Sequence, residues 1–102
     1  MKNNSKSTFD KIIKTVCEVY GISEKRIKSR SRRRVVVLPR QVAHYLLRKN
    51  RFEVMFIGDY FKLDHSTITH SCNTIQNLIS LEIDVLQSVR LIESKIIRHG
   101  LL

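Results

Sequence analysis

From Phe9 onward the apolar positions recur with the period of an α-helix. Phe9, Ile12, Ile13, Val16, Cys17 and Tyr20 fall at i, i+3, i+4, i+7, i+8 and i+11, the stripe of one buried helix face. Ser7 or Thr8 can cap its start, and Gly21 suits the left-handed position after its end. Residues 1–6 are polar and aperiodic and are expected as a disordered tail. Ser23 opens a short helical turn, Glu24 to Ile27, with Ile22 and Ile27 facing inward. Val35-Val36-Val37-Leu38 has strand-like composition, but nothing else in the chain offers it a partner strand. Pro39 suits the first turn of a helix running to about Asn50 that buries Val42, Ala43, Leu46 and Leu47. A further short helix, Glu53 to Phe61, carries Val54, Ile57 and Phe61 on one face. Gly58 inside it costs about 1 kcal/mol against alanine and predicts a closely approaching helix. After a Lys62-Leu63 turn, Asp64 caps a helix whose buried stripe is Ile68, Cys72, Ile75 and Ile79. Periodicity continues from Leu81 to Arg98 through Ile83, Leu86, Val89, Ile92 or Glu93, and Ile96, with a boundary near residues 79–82. The pattern predicts an all-α, compact bundle of about five to six helices.

Charge changes the picture from fold to partner. The 102 residues form one domain, and 42% apolar residues supply one core. Lys and Arg number 19 against 9 Asp and Glu, giving a net charge of +10. Fifteen of the 19 cationic residues lie in positions 1–51, and seven fall in the ten positions from Lys25 to Arg34. Such a balance points to a polyanion. No apolar run approaches the 18 residues of a membrane span, and no secretory signal is visible. Cys17 and Cys72 read as reduced, buried thiols, which suits a reducing, cytoplasmic setting. With glycine only at 21, 58 and 100, neither GxxxxGK[ST] nor GxGxxG can be written, so a phosphate-cradling nucleotide site of those types is excluded; no cofactor is expected.

Two helices joined by a tight turn, the second opening on a small polar face, describe a helix-turn-helix. A recognition helix enters the major groove N-terminus first and needs short hydrogen-bonding side chains and methyl groups in its first turns. Asp64-His65-Ser66-Thr67-Ile68-Thr69-His70 meets that need, with Ile68 as the core anchor. The basic run is internal, between two helices, and reads as an ordered arm that contacts phosphates through Arg30, Arg33 and Arg34 or enters a minor groove. His65 and His70 diverge on a helix, as do His70 and Cys72, so no metal is expected. The adjacent Asp64 and His65 do not face each other as a catalytic pair would, and no enzymatic activity is expected. Tyr20, Phe56, Tyr60 and Phe61 read as core or flanking aromatics.

From about Phe9 to Leu81 the chain resembles the C-terminal DNA-binding domain of the bacterial replication initiator DnaA. Three pieces match in order. They are Val16-Cys17-Glu18-Val19-Tyr20 with Ile22-Ser23; Ser29-Arg30-Ser31-Arg32-Arg33-Arg34 leading into Leu38-Pro39-Arg40-Gln41-Val42-Ala43; and Ile57-Gly58-Asp59 followed by Asp64-His65-Ser66-Thr67-Ile68-Thr69-His70. The resemblance implies a Trp-repressor-like helical module. It implies that Asp64, His65, Ser66 and Thr67 read bases of an initiator box in the major groove, with Thr69 and His70 toward the backbone. It puts the minor-groove arginine at Arg32 and DNA-backbone contacts at Arg40, Gln41 and Arg48. The family commonly has Gly-Gly-Arg before the Asp-His pair; here Lys62-Leu63 stands there, and Lys62 replaces only the arginine's charge. Glu53 to Ile57 replaces a Ser-Leu-Pro-Glu-Ile segment. The initiator's ATPase domain has no counterpart in these residues, which suits a freestanding homologue as well as a domain of a longer chain.

The expected organisation is therefore a tail (1–6), a DnaA-like helix-turn-helix domain (7–81) and a C-terminal helix (82–102) completing the bundle. The expected function is sequence-specific binding of double-stranded DNA at a DnaA-box-like site, in replication initiation or transcription regulation. Two alternatives belong to other classes: an RNA-binding accessory protein using the basic loop, or an interaction module whose C-terminal helix pairs with a partner or with itself as a homodimer.

Overall fold

The fold is built outward from the amphipathic first helix. In a computed structural model, which describes residues 6–98, α1 spans Lys6–Tyr20 and buries Phe9, Ile12, Ile13 and Val16, the stripe its periodicity marks out. The helix begins at Lys6, one residue inside the segment read as a tail; residues 1–5 lie outside the described residues. Gly21 ends it at φ 64°, with Ile22 N–H donating to the Cys17 carbonyl at 3.0 Å and Gly21 N–H to Glu18 at 3.3 Å. These paired bonds satisfy carbonyls that the helix end would otherwise orphan. α2, Glu24–Ile27, is capped by the Ser23 hydroxyl, which accepts from Arg26 N–H at 3.1 Å.

Helix α3, Arg34–Lys49, starts five residues earlier than Pro39 predicts. Pro39 sits inside it, where it removes one ladder hydrogen bond and crowds the carbonyl four residues back, a cost of about 3 kcal/mol. The compensation is tertiary. Val36 is fully buried and Leu38 packs against the core, and burying one such side chain recovers about 1.5–3 kcal/mol. The four apolar residues before Pro39 are therefore helix, neither strand nor loop.

The remaining helices are α4 (Val54–Phe61), α5 (His65–Leu81) and α6 (Ile83–Arg98), and no strand forms among the described residues. α3 packs on α1, α2, α4 and α5, while α6 covers α1 and α5. A single extended residue, Glu82, separates α5 from α6. That break sets the rotation of α6, which buries Val85, Val89, Ile92 and Ile96. Ile83, expected inward, is 63% exposed, and Leu86 is only half-buried. Two ion pairs link α3 to this C-terminal region: Arg34 to Glu82 at 3.1 Å and Lys49 to Glu93 at 2.7 Å. Both cysteines are free thiols, Cys17 buried and Cys72 half-buried. Burial pushes the Cys17 thiol up to about 11, so it stays protonated.

Candidate nucleic-acid interface

The α4–α5 pair is a helix-turn-helix whose tightness rests on one glycine. Leu63 N–H donates to the Gly58 carbonyl at 2.9 Å, and Lys62 N–H to Asp59 at 3.3 Å. A Cβ on residue 58 would lie 2.5 Å from the Leu63 carbonyl oxygen. Gly58 therefore admits the backbone of the turn first and, with His65 N 3.8 Å from the same Cβ position, the start of the neighbouring helix α5. Lys62 takes the left-handed conformation, φ 59°, that a glycine would adopt at less cost.

The start of α5 is organised by Asp64. Its carboxylate accepts the Ser66 amide at 3.0 Å and also the Ser66 hydroxyl. The Ser66 hydroxyl, and after it the Ser66 amide, hold the Asp64 carboxyl below its usual range, so the cap is charged. His65 Nδ1 lies 3.9 Å from the other Asp64 carboxylate oxygen. His65, Ser66, Thr67, Thr69 and His70 are all exposed, whereas Ile68 is fully buried beneath them. The Thr69 hydroxyl donates back to the His65 carbonyl at 3.2 Å. Asp64 and Ser66 thus partly engage each other, leaving His65 and Thr67 as the open hydrogen-bonding groups of the first turn.

The basic segment is an ordered loop docked beside that turn. Residues Ser29 to Arg32 and Thr67 line one cleft of about 410 Å³, with Leu63 of the turn in its wall. The structure therefore brings Arg30 and Arg32 to the same depression as the start of α5. Serines shape the loop locally: the Ser29 hydroxyl donates to the Arg26 carbonyl at 2.7 Å, and Ser31 Oγ accepts from Arg33 N–H at 3.3 Å. Tyr60 braces its start, its hydroxyl donating to Glu24 at 3.2 Å while Lys28 Nζ lies 4.3 Å above its ring. Arg30, Arg32 and Arg33 are exposed, and their guanidinium groups form no ion pair among the described residues.

Other expected contact residues are placed differently. Arg34 pairs with Glu82 just past the far end of α5, 17 residues long and so about 25 Å from the first turn of that helix. Arg40 is half-buried and donates to loop carbonyls rather than standing free: Nε to Ile27 at 3.0 Å, and Nη2 to Ser29 at 2.7 Å and Ser31 at 3.0 Å. Gln41 is half-buried. Arg48 donates to the Phe52 carbonyl at 3.3 Å and lines a separate cleft with Tyr45, Lys49, Asn73 and Gln76. Lys62 is exposed at the turn.

Two contributors escaped the sequence reading. Tyr60 is more than a flanking aromatic, since it packs on Phe9 and Phe61 and also fastens the loop. His44 is buried at 1% exposure, its ring edge-on to Phe61 with centroids 4.4 Å apart. Neither ring nitrogen has a hydrogen-bond partner among the described residues. Burial, aided by the Arg40 charge, lowers its pKa to about 3, so the ring is neutral. The signal available was position: His44 lies next to Ala43 and three residues before Leu47, on the buried arc of α3. Among the described residues there is no cluster of metal-ligating side chains, and no helix is long and apolar enough to cross a membrane.

Residues 9–75 match the family described as bacterial DnaA protein helix-turn-helix. Three curated relatives bear the name chromosomal replication initiator protein DnaA. The DnaA 1 protein of Chlamydia pneumoniae is 46% identical over 70 residues, 68% of this chain and 15% of that protein. The DnaA 2 protein of Protochlamydia amoebophila is 44% identical over 78 residues, 76% of this chain and 17% of that protein. The Bacteroides thetaiotaomicron protein is 34% identical over 89 residues, 85% of this chain and 19% of that protein. The chain thus spans less than a fifth of the length of these relatives.

Proposed function

The chain belongs to the bacterial DnaA helix-turn-helix family, and from that premise we propose that it binds double-stranded DNA selectively at a DnaA-box-like site. The start of α5 enters the major groove, where His65 and Thr67 read base edges and the Thr67 methyl meets thymine. Asp64 and Ser66 hold that turn in shape and offer their remaining hydrogen-bonding capacity to the same bases. The loop around Arg32 enters the adjacent minor groove, which attracts arginine where A/T sequence narrows it. Arg30, Arg33, Lys62, Thr69 and His70 lie along the flanking phosphates, and Gln41 and Arg48 hold the backbone farther out. Arg34, paired near the far end of α5, has only a peripheral part. The chemistry is binding alone, in replication initiation or in regulation of transcription on the nucleoid.

The observation that carries this reading is the shared cleft: Arg30 and Arg32 on one side, Thr67 and the turn on the other. A major-groove helix and a minor-groove arm must stand side by side to engage neighbouring grooves. Titration of labelled duplexes tests it. Log affinity should fall with log salt at about −0.9 per phosphate contacted, and a cognate duplex should outcompete random sequence. His65→Ala and Thr67→Ala should each reduce discrimination by about 1–3 kcal/mol. Arg32→Ala should weaken A/T-flanked duplexes more than G/C-flanked ones. Full specificity in both helix variants, or tighter binding to structured RNA, would overturn the reading.

A further inference from the structure

Arg40 poses a physical puzzle, because a cation is inserted beneath the most cationic stretch of the chain. Seven Lys and Arg residues between 25 and 34 repel one another and favour an extended, solvated segment. Yet the loop is ordered, and the Arg40 guanidinium reaches the carbonyls of Ile27, Ser29 and Ser31. Three of its five N–H donors are spent on them. These bonds are charge-assisted, which makes them stronger than neutral ones.

The spacing of the acceptors matters more than their number. Residues 27, 29 and 31 are alternate positions, and Arg40 gathers all three carbonyls to one point. The residues follow the same alternation: Ser29 and Ser31 are half-buried, whereas Arg30 and Arg32 are exposed. Capturing every second carbonyl holds the serines toward the protein and turns the arginines toward solvent beside Thr67. We infer that Arg40 is a positioning residue, a clamp that fixes the phase of the loop and thereby aims Arg32 at the minor groove. This inference rests on the proposed DNA-binding function for its consequence, but not for the clamp itself. A lysine keeps the charge of Arg40 but, as a single ammonium on a flexible stem, lacks the planar fork that spans three carbonyls.

Arg40→Lys and Arg40→Gln distinguish a clamp from a plain phosphate contact. In the free protein, amide hydrogen exchange at residues 29–33 should accelerate by roughly tenfold or more in both variants, while α5 amides keep their protection. On DNA, both should lose the preference for A/T-flanked over G/C-flanked duplexes by about the factor seen in Arg32→Ala. Adding either to Arg32→Ala should cost little more, since the two substitutions remove the same contact. The clamp is overturned if Arg40→Lys exchanges and binds like wild type while Arg40→Gln weakens all duplexes alike and reduces the salt slope by about one phosphate. Loss of loop protection in a protein whose wild type shows no sequence preference would support the clamp and reject the proposed function instead. Thermal melts of both variants confirm that the comparison is between folded proteins.

Discussion

The two walls of the cleft are held in opposite ways. The start of α5 is organised by its own neighbours, with Asp64 capping Ser66 two positions away and the Leu63 carbonyl folding back over Gly58. The basic loop is held from a distance, by Arg40 nine and eleven positions beyond the serine carbonyls it binds, and by Tyr60 thirty-six positions from Glu24. The helix start is thus self-supporting, while the cationic arm depends on the rest of the fold to order it against its own repulsion. Both lean on α3. Arg40 underpins the loop, and His44, one turn farther along, packs against Phe61 at the entrance to the turn.

That shared support should yield first, and the effect is the largest expected. The folded-state pKa of His44 is about 3, against 6.5 when unperturbed. Below pH 6.5 the unfolded chain takes up a proton that the folded chain refuses, so stability is full above that pH and falls as acid is added. The slope approaches about 1.4 kcal/mol per pH unit, or roughly 3 kcal/mol by about pH 4. Asp64, with its depressed carboxyl, adds its own loss only near and below 3.8. Urea denaturation across this range should show the slope in wild type and a flatter curve in His44→Leu. An unchanged slope in that variant would remove His44 from the account.

Gly58→Ala comes next and strikes the helix side alone. Alanine gains about 1 kcal/mol in helix propensity, but its methyl would meet a backbone oxygen that has no side-chain freedom to move. A net loss of about 2 kcal/mol is expected, with weakened discrimination between duplexes and little change in loop exchange. Stability equal to or above wild type would show that the turn is looser than its geometry indicates. Asp64→Ala is the smallest perturbation. It should lower the melting temperature modestly and speed exchange at the first α5 amides, leaving the loop as it was. Faster exchange in the loop would mean that the two walls are not separately held.

The same contrast explains what could be read from the sequence. α1, α4 and the start of α5 were legible because their devices are local: a stripe, a glycine, an Asp cap. The expected helix-turn-helix and its Asp64-to-Thr67 opening therefore stand where the pattern puts them. The beginning of α3 was not legible, because the local rule for Pro39 is overridden by the burial of Val36, which only the assembled core rewards. The phase of α6 was ambiguous, since apolar residues at 83, 85, 86 and 89 suit more than one face and the break at Glu82 decides between them. Arg40 carried no local sign that it points into the loop, and His44 looked polar in a stripe that buries it. The charge of +10 indicates a polyanion, yet the way its densest segment is aimed depends on residues far along the chain.

The proposed function requires one loop and one helix start to read adjacent grooves of a single site. Selecting bound duplexes from a random pool, with wild type and Arg32→Ala side by side, tests it most directly. Wild type should enrich one block of fixed sequence resembling an initiator box, flanked on one side by an A/T-rich run. The variant should keep the block and lose the run. Enrichment of no sequence by wild type, or loss of block and run together in the variant, would show that the loop and the helix do not read separate grooves.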